Sequence, residues 1–212
     1  PIGGSFSFAK YSIATDTMTN ILTNLSGSMV SLAFDTTHNA VYIGGINSNA
    51  PALYKYNVSS GAFSDLSSNL PAGYIDNIAF NPQNSMLMVA FGGSGKSVGP
   101  WIKLYDTTGG SFSSLTLPSW PSPVSTNVLS IAEDRSTGNF YISRRSDTTT
   151  QKFYKYSVAT GLFTDLTSAL PSSFQPINAA YNNYDNTVYL GSADGRFIKY
   201  NTASATATEF TS

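Results

Sequence analysis

A repeated lysine–tyrosine pair constrains the fold of this chain more than any other feature of its sequence. The pair recurs five times, with one residue inserted in the third copy, and successive copies lie 44 to 51 residues apart. The tyrosines of the five copies are Tyr11, Tyr56, Tyr105, Tyr156 and Tyr200. A period of about 40–50 residues that contains several short strands is typical of a β-propeller blade. The repeat therefore predicts an all-β propeller.

Strand-like segments fill each repeat in the same order. Two apolar runs precede each later tyrosine, as in residues 29–34 and 41–45, and a turn rich in Asp, Asn, Pro and Gly lies between them. An aromatic residue follows the tyrosine by seven positions in three copies, at Phe63, Phe112 and Phe163. The pattern predicts four strands in each repeat.

These motifs resemble the kelch family of β-propellers. That family has a second strand that ends in two glycines, a tyrosine in the third strand and an aromatic residue in the fourth. Here the counterparts are Gly44-Gly45, Tyr56 and Phe63 in one repeat, and Gly92-Gly93 begins the same series in the next. Residues 188–197 are also similar to quinoprotein-type propeller repeats. Both resemblances imply a propeller, and neither supplies a catalytic set.

The strand count predicts a single domain over residues 1–212 with four complete blades and a partial fifth. The complete units are residues 23–66, 67–115, 116–166 and 167–212. Residues 1–22 supply only the outer pair of strands of a further blade. Two interpretations stay open at this point. Either the ring has five positions, with an incomplete blade that is filled by irregular chain or by residues lost before Pro1. Or the outer pair reaches a neighbouring subunit, because an unpaired strand edge is a template for another chain.

In the second interpretation the outer pair forms the assembly strands. Its two strands are predicted from Phe8 to Tyr11 and from Met18 to Leu22. Met18 holds the place that phenylalanine holds in the later repeats.

Composition excludes several classes of function. Only 11% of the residues are charged, against about 25% in an average globular protein. The net charge of −1 gives no electrostatic basis for binding nucleic acid or an anionic membrane. We also expect no membrane span, because no apolar run approaches 18 residues. With no cysteine there is no disulfide framework and no thiolate metal site, and we expect no cofactor.

The polar, weakly charged composition favours an extracellular location. The chain begins at Pro1 without a methionine, which suggests processing or trimming. Asn24 and Asn57 each begin an Asn-X-Ser triplet, so both are candidate glycosylation sites.

Residues with catalytic potential are better explained by structure. Residues 90–97 match a permissive phosphate-loop pattern, but the helix that such a loop needs does not follow. His38 is the only histidine, lies in a predicted turn and is expected to be solvated. Asp65 and Asp165 occupy matching places in two repeats, which predicts a role in turn hydrogen bonds.

Four residues are candidate contacts for a ligand or partner. Trp120 lies in a proline-rich segment between blades, where it could stack on a sugar, contact a protein or cap the core. Arg144 and Arg145 end a predicted strand, and Tyr74 lies near the start of another.

The leading hypothesis is a non-enzymatic extracellular or virion-surface structural glycoprotein that self-associates, as in a filament, through strand pairing at its incomplete blade. The alternative is a carbohydrate- or protein-binding propeller module. The third is a polysaccharide hydrolase or lyase, which would need two carboxylates that face each other.

Overall fold

The computed structural model describes residues 5–48, 50–92, 101–115, 118, 128–145 and 151–210. Trp120 lies outside these residues, as do residues 93–100, which include most of the phosphate-loop pattern. The side chains of Leu22, Asn24 and Arg145 also fall outside the described part, although their backbone belongs to strands.

Eighteen strands and two short 3-10 helices make up the regular structure of the described residues. The N-terminal pair consists of β1 (Ser5–Ser12) and β2 (Thr17–Ser26). The first full sheet consists of β3 (Ser28–Asp35), β4 (Ala40–Asn47), β5 (Ala50–Asn57) and β6 (Phe63–Asp65). The second consists of β7 (Tyr74–Asn81), β8 (Met86–Gly92), β9 (Trp101–Asp106) and β10 (Ser111–Ser114).

The third sheet consists of β11 (Val128–Glu133), β12 (Asn139–Arg145), β13 (Lys152–Ser157) and β14 (Leu162–Asp165). The fourth consists of β15 (Pro176–Asn182), β16 (Thr187–Ser192), β17 (Phe197–Asn201) and β18 (Thr206–Phe210). The 3-10 helices are Ser67–Asn69 and Thr167–Ala169. In the part of the chain described, no helix has the length and apolar character needed to cross a membrane.

The four full sheets are the blades of a β-propeller, numbered 1 to 4 in chain order. Each is an antiparallel meander whose strands pair in sequence order. The first strands of successive blades pack against each other: β3 meets β7, β7 meets β11, and β11 meets β15. This arrangement confirms the predicted fold, with four complete blades and an N-terminal pair that supplies part of a fifth. The single domain and its unit boundaries stay predictions.

The first hairpin of every blade is closed by an Asp or Asn side chain. The side-chain oxygen accepts the backbone N–H two residues further on, and this holds at Asp35, Asn81, Asp134 and Asn182. The last turn residue has a positive φ in each case, at Asn39, Ser85, Gly138 and Asn186. Asn, Asp and Gly tolerate these conformations best, which explains their concentration in the predicted turns.

Polar side chains on the first strands fix how neighbouring blades meet. The Ser31 hydroxyl of blade 1 accepts the N–H of Ile78 in blade 2 at 3.0 Å. Ser130 does the same for Ala179 between blades 3 and 4, at 2.8 Å. Between blades 2 and 3, Asn81 donates from its side-chain nitrogen to two backbone carbonyls, at 2.8 and 3.2 Å. These bonds satisfy buried backbone groups, so they specify the spacing of the blades.

Steric crowding explains why blade 1 has two glycines at positions 44 and 45. A Cβ added at Gly44 would lie 2.8 Å from the Ile75 side chain in blade 2. A Cβ added at Gly45 would lie 2.1 Å from the carbonyl oxygen of Ser28 on the adjacent strand. The glycines therefore let two backbones and two blades approach closely, which is a packing role.

Candidate functional site

Each blade has one sheet face toward the preceding blade and one toward the following blade. We call these the front face and the back face. The front face of blade 2 carries Ile78, Phe80 and Val89, which form one apolar cluster with Tyr42 and Leu53 on the back face of blade 1. Equivalent clusters join blade 2 to blade 3 and blade 3 to blade 4. Front-to-back packing therefore supplies the core.

The front face of blade 1 lacks this cover on its first strand. Leu32 and Phe34 of β3 occupy the positions that Ile78 and Phe80 occupy in β7. Leu32 is 60% exposed and Phe34 is 49% exposed, whereas Ile78 and Phe80 are 4% and 3% exposed. Because these positions carry the same types of residue in both blades, the difference comes from the missing neighbour and not from the sequence of the strand.

The N-terminal pair covers only the outer part of this face. The Phe8 ring lies 5.6 Å from the Tyr56 ring in an edge-to-face contact. Phe8 also packs on a small cluster formed by Ile43, Ala52 and Tyr54 of blade 1. The pair thus lies where the outer strands of a preceding blade would lie, and the inner two strands are missing from the described residues.

The position of the N-terminal pair beside blade 1 can be compared with its predicted role as assembly strands. Phe8 contacts blade 1 of its own chain, and the role of the N-terminal pair as assembly strands stays a prediction. Tyr11 and Met18 are exposed, and the side chain of Leu22 lies outside the described part. The structure therefore matches the interpretation with one incomplete position next to blade 1.

An open groove lies between β1 and the exposed part of β3. Its volume is about 500 Å³, and its lining includes Phe8, Met29, Val30, Leu32 and Ile43. All five side chains are apolar, and none of the described residues that line the groove is charged. A groove of this kind can bind an apolar segment by desolvation.

The back face of blade 4 is the other uncovered end. Tyr189, Phe197 and Phe210 form a row whose neighbouring ring centroids are 5.6 and 5.4 Å apart. Phe197 and Phe210 are exposed, although Leu53 and Phe153 at the position of Phe197 in blades 1 and 3 are fully buried. Both ends of the row of blades therefore present surface that is core elsewhere in the molecule.

The predicted contact residues do not gather at either end. Arg144 is fully buried, because β12 is paired on both sides and its blade packs between two others. Its burial contradicts a solvated strand end, and contact with a ligand or partner stays a prediction. Tyr74 is half-buried at the start of β7, and burial, with Asp76 nearby, raises the pKa of its hydroxyl. For Trp120 and the side chain of Arg145 the expectation stays a prediction.

The aspartates of the matching repeat positions are structural, as predicted. Asp65 accepts the N–H of Ser67 at 2.8 Å, and Asp165 accepts the N–H of Thr167 at the same distance. Each carboxylate thereby begins a 3-10 turn. Lys152 also contacts Asp165 at 3.2 Å. Both aspartates therefore stabilise the turn that follows their strand.

Asp134 shows how a buried carboxylate is held in its charged form. Burial alone would raise its pKa, but hydrogen bonds from the side chains and backbone of Ser136 and Thr137 outweigh burial and lower it. The residue is almost fully buried. The charged Asp134 carboxylate therefore stabilises the first turn of blade 3 by accepting these hydrogen bonds.

The single histidine lies in the first turn of blade 1, as expected, but it is partly buried in an interblade contact. His38 Nδ1 lies 2.9 Å from the buried Asp35 carboxylate and 3.3 Å from the Thr107 hydroxyl of blade 2. The Asp35 side chain also accepts the backbone N–H of His38. In the described ranges no three His, Cys, Asp or Glu residues cluster to hold a metal ion.

The candidate glycosylation sites lie on strands. Asn57 ends β5, and its side-chain oxygen accepts both the N–H and the hydroxyl of Ser60, at 2.8 and 3.0 Å. Asn24 lies within β2. Glycosylation at either site stays a prediction.

Comparisons with known proteins support the fold. No protein-family model and no curated protein sequence matches this chain, so membership of the kelch family stays a prediction. A chain in the crystal structure of a nidogen/laminin complex matches with a TM-score of 0.65 and 16% identity, over 89% of this chain and 66% of that one. A protein assigned as TolB from Agrobacterium tumefaciens matches with a TM-score of 0.68 and 13% identity, over 100% of this chain and 71% of that one.

Both similar structures are of the propeller type, and at these identities the likeness shows the fold alone. This chain spans only part of the length of each. The class that fold and site define is a β-propeller with uncovered apolar faces at both ends of its row of blades.

Proposed function

We propose that this propeller is a protein-binding module whose binding surface is the uncovered front face of blade 1. The observation that supports this proposal is the exposure of Leu32 and Phe34 at positions that are buried in blade 2. Contiguous exposed apolar surface beside a groove is typical of a protein interaction site. One similar structure comes from a complex between nidogen and laminin, and it is thus a propeller-type chain seen with a protein partner.

The chemistry of the groove favours protein over carbohydrate. Of the seven described residues that line it, four are aliphatic, Phe8 is aromatic, and two serines supply the polar groups. Sugar sites need several hydrogen-bonding groups, whereas the core of a protein interface is mostly apolar. Carbohydrate binding would instead use Trp120 and Tyr74, and it stays a prediction.

Site-specific photocrosslinking tests the proposal. A benzophenone amino acid is placed at Phe34, and a matched control carries it at Phe80, the equivalent buried position. Each chain is exposed to an extract of the source organism, and the crosslinked protein is identified and purified. We expect a partner that crosslinks at position 34 but not at position 80.

The purified partner then gives a quantitative assay. Leu32→Asp places a charge in the proposed contact and should weaken binding on the order of tenfold or more. Ile13→Asp changes an exposed apolar residue in the turn between β1 and β2, away from the groove, and should bind normally. Equal affinity for the wild-type chain and Leu32→Asp would refute the proposal.

Self-association is the second candidate, and one observation favours it. The aromatic row on the back face of blade 4 occupies positions that pack on the next blade's front face elsewhere in the molecule. The chain thus carries both halves of an interface, and a head-to-tail contact of this kind can build a filament. Sedimentation of the wild-type chain and of Phe197→Asp tests it. A wild-type chain that stays monomeric at high concentration would exclude it.

With either candidate function we propose an extracellular or virion-surface location. The low charge and the Asn-X-Ser triplets support it. Intact-mass measurement of the native protein before and after deglycosylation tests this part of the proposal.

A further inference from the structure

The strand β1 has one paired and one unpaired edge. It pairs with β2 in a two-stranded sheet, and its other edge has no neighbour among the described strands. Lys10-Tyr11 of β1 corresponds to Lys55-Tyr56 of β5, so β1 is a third strand of a blade. In blade 1 the third strand β5 pairs with the second strand β4 along the equivalent edge. The strands missing beside β1 are therefore a second and a first strand.

The groove lies where those two strands would be. Phe8 of β1 lines one side of the groove, and Val30 and Leu32 of β3 line the other. An unpaired edge carries free N–H and C=O groups in a row, which another strand can bind. The site therefore offers both hydrogen-bonding groups and apolar surface to an extended segment.

The complete blades specify what such a segment must contain. The back face that covers a front face has alanine on its first strand, at Ala33, Ala79 and Ala132. Opposite this alanine, the second strand has a larger apolar residue at Tyr42, Met88 and Tyr141. A segment with the same two-strand pattern would cover Leu32 and Phe34 as blade 1 covers Ile78 and Phe80.

A two-stranded segment fits the uncovered width better than a whole blade from a second copy, which is the occupant that the self-association candidate would supply. The outer part of the blade 1 front face is already covered by Phe8 of the N-terminal pair. Blade 4, whose back face is free, is a four-stranded sheet, and its outer strands would meet β1 and β2. A hairpin of two strands suits the remaining width.

We propose that the groove binds a two-stranded β-hairpin donated by a partner protein, which pairs with the free edge of β1 and covers Leu32 and Phe34. This inference rests on the proposed function and specifies the partner. The hairpin has a small residue on its inner strand and a large apolar residue opposite, both directed at β3. Main-chain pairing with β1 supplies affinity, and these two side chains supply specificity.

The chain itself supplies a probe for this proposal. Residues 176–192 form the β15–β16 hairpin, in which Ala180 and Tyr189 are the back-face pair. A synthetic copy closed by a terminal disulfide presents this hairpin in a preformed state, which reduces the entropy cost of binding. A control peptide carries lysine at both back-face positions.

Titration of the probe into the full chain is followed by calorimetry and by amide hydrogen exchange. We expect one probe per chain, and protection of alternate amides along β1, because every second N–H of an edge strand points away from its paired neighbour. Val30→Asp and Leu32→Asp should each weaken binding on the order of tenfold. Ile13→Asp should leave it unchanged, and the control peptide should not bind.

Each other outcome overturns the hairpin proposal. Absence of saturable binding excludes it, as does binding that leaves the β1 amides unprotected. Concentration-dependent self-association that protects the same amides would identify a second copy as the occupant. None of these results decides the proposed function, which depends separately on crosslinking at position 34 and on the affinity of the natural partner.

Discussion

Truncation of equivalent residues in blades 1 and 2 should have very different effects on stability. Ile78 is 96% buried and packs closely enough that a Cβ at Gly44 would lie 3.2 Å from its Cγ2 atom. Ile78→Ala should therefore lower the free energy of unfolding by about 3 kcal/mol, within the range for buried aliphatic residues. Leu32 is only 40% buried, so Leu32→Ala should lower the free energy of unfolding by about 1 kcal/mol.

Thermal unfolding by calorimetry or circular dichroism measures this difference. For a chain of this size about 1 kcal/mol corresponds to a shift in Tm of roughly 2–4 °C. We expect Ile78→Ala to lower Tm by about 6–12 °C and Leu32→Ala by about 2–4 °C. Equal losses would refute the reasoning, because they would mean that another segment or another copy covers Leu32 in solution.

Three further predictions test the interblade contacts and the buried charge. Asn81→Ala removes the donor to two carbonyls of blade 3 and should lower the free energy of unfolding by about 2 kcal/mol in urea. Asn182→Ala loses its turn hydrogen bond and should lower it by about 1 kcal/mol or less. Ser31→Ala leaves the N–H of Ile78 without its acceptor and should cost about 1–3 kcal/mol in the same assay. The lowered pKa of Asp134 gives stability that is present above the unfolded-state pKa and is lost as pH falls through the folded-state pKa. Asp134→Asn should therefore be less stable than the wild type at neutral pH and lose less stability on acidification. Stability that falls equally with pH in both proteins would contradict this.

The repeat in the sequence was sufficient to predict the fold because each unit is stabilised by local pairing. Turns that begin at Asp35 or Asn81 depend on neighbours a few residues away, so their composition predicted them. The role of Asp65 followed from its repeat position for the same reason.

The candidate site was harder to predict because exposure depends on which blades meet. Leu32 and Phe34 match Ile78 and Phe80 in residue type, and nothing local distinguishes the covered pair from the uncovered pair. Arg144 shows the opposite error, since its charge suggested a surface position but its strand lies inside a packed blade. Comparison of the strand count with the order of the blades was the one signal that indicated an incomplete position.

Footprinting by hydroxyl radicals tests the central claim most directly, because it compares equivalent side chains within one protein. Phe34 and Phe197 lie at the uncovered ends, and Phe80 and Phe153 are their counterparts in complete interfaces. We predict that the free chain is oxidised much faster at Phe34 and Phe197 than at Phe80 and Phe153. Protection of all four to the same extent would contradict the account, because the two faces would then be covered and could not serve as binding surfaces.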